Sequence, residues 1–214
     1  MNRWFDRLPF LGDRIPGKIT LSFLMLLLAI VLRLCFYTFD RSICVLAMVF
    51  SFCGDIFLNH NKDHTKQTKI DLILGGIAFV AAHLCFCLAY YQKTKINNFP
   101  ILNNGAILAV GILIVITIIM LMRFSEKDKQ SKDNKLFAFG IVYLWLTGIN
   151  YTTIFSYAYS IRSMESIAAI GGLLFLSSDI IIGCEKFLGL KSKLARELVW
   201  WLYPIGQIIL IIMA

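Results

Sequence analysis

Seven successive stretches of about 20 mostly apolar residues constrain this chain more than any motif it contains. A bilayer core admits helices or closed barrels, because a backbone in lipid must satisfy its own N–H and C=O groups. The runs are continuous and lack period-two alternation, so helices are expected and a strand barrel is not. Hydrophobic residues make up 58% of the 214-residue chain and charged residues 16%, the balance of an integral membrane protein rather than a soluble domain. The expected fold class is therefore all-α, a polytopic bundle. Its spans run over residues 18–37, 41–59, 69–91, 100–122, 135–157, 163–183 and 194–214. Residues 18–214 form the bundle. Residues 1–17, with Arg3, Arg7 and Arg14 interleaved among Trp4, Phe5, Leu8 and Phe10, read as an amphipathic interfacial segment. Pro16 and Gly17 mark the expected break before the first span. No small-residue cleavage pattern follows the first apolar run, so no cleavable leader is expected.

The net charge of +8 does not point to nucleic acid, because the basic residues occupy short loops between spans. Sixteen of the 21 Lys and Arg residues fall on one set of helix ends; Arg33, Arg41, Lys93, Lys95 and Arg162 fall on the other. That asymmetry places the N-terminus in the cytoplasm and, with seven spans, the C-terminus outside. Membrane lipids are the expected partners, with no nucleic acid and no obligate protein partner. The six cysteines (35, 44, 53, 85, 87, 184) lie in or beside apolar runs without CxxC spacing, and read as small packing residues.

Within this apolar background, Asp55 and Asp179 are the costly residues. An Asp at a helix centre costs about 2.5–3.5 kcal/mol on insertion scales. At about 1.5 Å per residue, Asp55 lies some 6 Å in from Asn59 and Asp179 about 10 Å in from Lys186. Tyr203, counted from Arg196, and Tyr143, counted from Lys135, fall about 10–12 Å deep. Four groups from four spans thus share a layer in the cytoplasmic half, with His83, Asn150 and Gln207 deeper. Ser51, Asp55 and Asn59 repeat at four-residue spacing; Tyr143, Thr147, Asn150 and Tyr151 share a face, as do Tyr203 and Gln207. Ala168, Gly172 and Gly183 flank Asp179 and permit close approach by a helix or a lipid chain. Two neighbouring carboxylates in a dry site do not both ionise, so one keeps its proton and the pair supplies an acid and a base.

Other signals carry less. His60 and His64 have the i, i+4 spacing of helical zinc sites but lie in a lysine-rich loop without an HExxH glutamate, so no metal and no cofactor is assigned. Trp145, Trp200, Trp201, Tyr90, Tyr91, Tyr157 and Tyr159 read mainly as interfacial belts. Serine-hydrolase, Walker A and dinucleotide motifs have no suitable context.

Three phrases stand in order: Phe50-Ser51-x-x-Gly54-Asp55-x-x-Leu58, then Gly75-x-x-Ala78-Phe79-x-x-x-His83-Leu84, then Gly171-x-Leu173-Leu174-Phe175-x-x-Ser178-Asp179. With Phe187 and Tyr203-x-x-x-Gln207, they resemble the lysoplasmalogenase-like (YhhN type) multi-pass membrane family from about residue 41 onward. The family usually has a further span before the one beginning near Lys18, a proline after that lysine, and a second tyrosine where Pro204 stands. The resemblance implies hydrolysis of the vinyl ether bond of a lysophospholipid, with Asp55 and Asp179 as the catalytic pair. His83, Tyr143, Asn150, Ser178, Tyr203 and Gln207 are the substrate-binding candidates, and His83, Tyr143 and Tyr203 the groups to orient water or the donor. Vinyl ether cleavage starts with protonation of an alkene carbon, which suits a neutral carboxylic acid beside a carboxylate. Asp179, beside glycine and leucine, is the preferred donor. The alternative is a proton- or ion-coupled transporter using the same two acids. A zinc-dependent lipid amidase would need three ligands that His60, His64 and His83 do not arrange.

Overall fold

The computed structural model describes residues 14–59, 69–126, 134–161, 163–189 and 192–214. The interfacial segment up to residue 13 and the His60–His64 loop lie outside the described residues. Seven α-helices carry the rest: α1 (Arg14–Cys35), α2 (Phe39–Asn59), α3 (Lys69–Ile96), α4 (Asn104–Ser125), α5 (Asn134–Ser160), α6 (Ala168–Gly183) and α7 (Lys193–Met213). A 3-10 turn, Met164–Ile167, leads into α6 and a π-turn, Cys184–Leu188, continues it. Among the described residues there is no strand, and six helices are long and apolar enough to cross a membrane. The apolar part of α7 is shorter, Glu197–Met213, about 26 Å of helix.

Several boundaries differ from the sequence expectation, with α3 running on to Ile96 and α5 to Ser160, and two helix starts have a local cause. Helix α1 already begins at Arg14, so Pro16 and Gly17 lie inside its first turn. Proline is tolerated there because a first-turn N–H has no intrahelical acceptor to lose. Helix α4 starts at Asn104 rather than Pro100, because the Asn103 side chain accepts from Ala106 N at 3.0 Å and caps it.

Helix α1 packs on α2, α2 on α3, α3 on α5, α5 on α6, α6 on α7, and α7 returns to α1. The six form a closed ring, and α4 packs outside it on α5. The lipid-facing role of α4 follows from its composition. Ala106, Ala109 and Leu113 make the buried stripe, while Ile107, Leu108, Val115, Ile118 and Ile119 point outward.

Glycine sets the two tightest seams of the ring. A Cβ on Gly54 would stand 2.7 Å from the Phe79 ring, so the glycine lets α3 press against α2 beside Asp55. A Cβ on Gly206 would stand 2.9 Å from the Gly171 carbonyl oxygen and 2.8 Å from Phe175 N, so α6 and α7 cross backbone to backbone.

The far end of α7 is closed by side chains from α2 and α3. The last four carbonyls of a helix lack intrahelical donors. Here Tyr90 OH donates to Leu210 O at 3.0 Å, Arg41 donates to Ile211 O and Ile212 O at 3.3 Å each, and Lys93 donates to Met213 O at 2.7 Å. Lys93 also pairs with Glu165 at 3.0 Å, and Tyr157 donates to the same carboxylate. Tyr90 and Tyr157, expected in an interfacial belt, are instead 0% and 1% exposed inside the bundle. Each hydroxyl has an internal acceptor, which removes the reason for the ring to seek the headgroup layer.

Candidate active site

All six helices of the ring contribute a polar side chain to its interior. Helix α2 presents Asp55 and, one turn earlier, Ser51; both are buried. Helix α7 answers with Tyr203 and Gln207 at the same four-residue spacing and in antiparallel sense. Tyr203 OH donates to Asp55 Oδ2 at 2.7 Å, and Gln207 Nε2 donates to Ser51 Oγ at 2.9 Å. Helices α2 and α7 make little direct backbone contact, so these long side chains bridge the ring between them. Helix α1 supplies Ser22, fully buried, whose hydroxyl donates to the same Asp55 Oδ2 at 2.6 Å. Two neutral donors on one oxygen disperse a carboxylate's charge where water is scarce.

Asp179 heads a second cluster. His83 Nε2 lies 2.8 Å from Asp179 Oδ2, and Asn150 Nδ2 lies 3.0 Å from His83 Nδ1. An amide N–H only donates, so Nδ1 is the acceptor, and Nε2 carries the proton given to Asp179. The line Asn150–His83–Asp179 therefore runs α5–α3–α6 with every donor directed toward the carboxylate. Tyr143 meets the His83 ring edge-on at 6.5 Å and interacts with Asp179 through its hydroxyl. Tyr143 and Thr147 border, with Asp179, a small cavity of about 10 Å³.

Phe175 links the two clusters. Its ring stacks on His83 at 4.3 Å and meets Tyr203 edge-on at 5.7 Å, while Phe79 meets Tyr203 edge-on at 5.9 Å. Asp55 and Asp179 thus belong to separate hydrogen-bonded groups joined through aromatic faces. Charges held in so apolar a setting interact over longer distances than in water.

Of the residues singled out from sequence, Asp55, Tyr203 and Gln207 gather on the α2–α7 side. Asp179, His83, Asn150 and Tyr143 gather on the α3–α5–α6 side. Ser178 joins neither group, because its hydroxyl donates to Phe175 O at 2.7 Å within its own helix. Sequence reasoning passed over Ser22, Phe79 and Phe175 as site residues. The signal for Ser22 is weak, a hydroxyl near Thr20 at the start of an apolar run; the two phenylalanines stand in the phrases that carry the family resemblance, but phenylalanine is ordinary in a span and marks no site by itself. Among the described residues no group of three or more His, Cys, Asp or Glu is placed to hold a metal.

The family model described as the YhhN family matches residues 17–213. No curated protein and no solved structure matches the chain.

Proposed function

The chain belongs to the YhhN family, and from that premise we propose that it hydrolyses the vinyl ether bond of a lysophospholipid with Asp55 and Asp179 as its acid–base pair. The observation that carries this reading is the burial of two carboxylates, 5% and 8% exposed, inside one ring, each held by neutral donors from neighbouring helices. Such costs are retained in membranes chiefly where protons or ions are handled.

The chemistry needs little more than these groups. A carboxylic acid gives its proton to the alkene carbon, and the electron pair of the C=C bond forms the new C–H bond. The ether oxygen shares the resulting positive charge as an oxocarbenium ion, which the second carboxylate stabilises. Water adds to the cationic carbon and yields a proton to a carboxylate. The hemiacetal then breaks its C–O bond to give a fatty aldehyde and the glycerol alcohol, either a glycerophosphoethanolamine or a glycerophosphocholine. Division of labour between two carboxylates around an oxocarbenium-like state is the logic of glycoside hydrolysis. The charge asymmetry of the helix ends supports a site toward the cytoplasmic half of the membrane, just below the headgroup layer.

The test is a panel of vinyl ether, alkyl ether and ester lysolipids with the purified protein in detergent. Only the vinyl ether is expected to release aldehyde, and Asp55→Asn or Asp179→Asn is expected to lower that release by about 10²–10⁴-fold. Turnover by both variants at the normal rate would remove the mechanism. Uptake of a solute that collapses with an ion gradient, without aldehyde, would replace it with transport.

A further inference from the structure

Inside the ring most polar atoms named above have a partner: Ser22 and Tyr203 on Asp55, His83 on Asp179, the Asn150 amide nitrogen on His83, and the Gln207 amide nitrogen on Ser51. Two acceptors are left over. Asn150 Oδ1 and Gln207 Oε1 are enclosed, in residues 3% and 0% exposed, and neither has a hydrogen-bond partner. A third unpaired atom, Arg33 Nη1, is a donor at the far end of α1, outside this interior. Buried amide oxygens without partners are rare, and each costs about 1–3 kcal/mol. Two in one interior, one on the amide bonded to the histidine that serves Asp179 and one a helical turn from the tyrosine that serves Asp55, call for an explanation beyond packing.

The arithmetic of donors and acceptors restricts what can occupy the space. Each amide spends one N–H on its anchor and keeps a second N–H beside its free oxygen, so the interior suits a group that both donates and accepts. A phosphate or an ester oxygen, which only accepts, would leave the amide oxygens unpaired. A hydroxyl or a water molecule would complete the pattern. On the reading of this protein as a lysolipid ether hydrolase, the substrate carries one such group on the carbon next to the ether-bearing carbon. The attacking water brings another.

We propose that Asn150 Oδ1 and Gln207 Oε1 are two acceptor positions inside the ring, one taking the free glycerol hydroxyl of a single-chain lipid and the other the incoming water. The two residues are then specificity determinants for a hydroxyl donor. Their amide N–H groups anchor them to His83 and Ser51, which fixes the direction in which the free oxygens point. Phosphate stays at the basic helix ends.

The experiment uses a non-cleavable 1-O-alkyl lysolipid with a free 2-hydroxyl and its 2-deoxy analogue, with binding to the full-length protein read by thermal shift across a concentration series. The wild type is expected to bind the hydroxyl compound about five- to tenfold more tightly, as one hydrogen bond supplies. That ratio should fall to near one in at least one of Gln207→Met and Asn150→Leu. The ratio, not the absolute affinity, is the readout, because a merely structural role weakens both ligands equally. Equal binding of the two ligands by the wild type, or an unchanged ratio in both variants, overturns the subsite. Hydroxyl recognition by a protein that releases no aldehyde from the vinyl ether lipid keeps the subsite and removes the hydrolase reading.

Discussion

Asp55 receives Ser22 and Tyr203 on one and the same oxygen, at 2.6 and 2.7 Å. Ser22→Ala and Tyr203→Phe each delete one donor while leaving the carbon skeleton in place. Each is expected to destabilise the folded protein by about 1.5–3 kcal/mol, the range for a hydrogen bond to a charged group. Because both donors meet a single atom, the double variant should depart from the sum of the singles by at least about 0.5 kcal/mol. Thermal unfolding in detergent measures all three, and strict additivity would mean that the hydroxyls act independently of the carboxylate. This is also where the sequence stops being informative. The acids are legible because a charge in a span is conspicuous. Their hydroxyl partners are not, because a helical Ser or Thr usually bonds the carbonyl a turn back, as Thr94, Thr117 and Thr152 do here. Ser178 takes a carbonyl of the preceding turn although it adjoins Asp179 in sequence, while distant Ser22 reaches Asp55. Nothing local separates the two cases.

At the scale of helices, the seam between α6 and α7 fixes Phe175 against Tyr203 and so holds the two polar clusters together. The sequence marks a small-residue face on α6 through Ala168, Gly172 and Gly183. In the structure the crossing with α7 falls on Gly171, while Gly172 faces Ile154 of α5. Adjacent helical residues point about 100° apart, so with neighbours on both sides each glycine of the pair serves a different helix. Substitution separates tight from open positions. In Gly171→Ala the new Cβ would lie 2.7 Å from Ile209 and 3.1 Å from the Gly206 carbonyl oxygen, so the helices must part. A loss of about 1–3 kcal/mol is expected from such overpacking. In Gly111→Ala nothing lies within 4 Å of the new atom, and the gain in helix propensity is expected to leave stability unchanged or raised by up to about 1 kcal/mol. Paired melting curves check both, and similar losses in the two variants would mean that interhelical distance is not what Gly171 controls.

For the whole molecule, the lysines and arginines have two separate tasks. Along the sequence sixteen of the 21 adjoin one set of span ends, the asymmetry from which a cytoplasmic N-terminus is expected. Counting alone treats Arg41 and Lys93 as a minority that merely weakens that bias, yet both close the end of α7 through its carbonyls. Lys93→Met should therefore lower unfolding stability by about 1–3 kcal/mol, since it strands the Met213 carbonyl and removes a partner of Glu165. A melting temperature equal to that of the wild type would assign the cap to Arg41 and Tyr90. Orientation can be read from a native thiol. Cys35 is the last residue of α1 and is exposed, at the end opposite the basic cluster, whereas Cys44 and Cys85 are buried. If the lysine-rich ends face the cytoplasm, a membrane-impermeant maleimide supplied to the opposite face of the membrane should label Cys35 first and leave Cys44 and Cys85 unlabelled until the protein is denatured. Labelling of Cys35 only in inside-out vesicles would reverse the orientation and put the carboxylate layer in the opposite leaflet. A lysolipid would then have to approach from the non-cytoplasmic side.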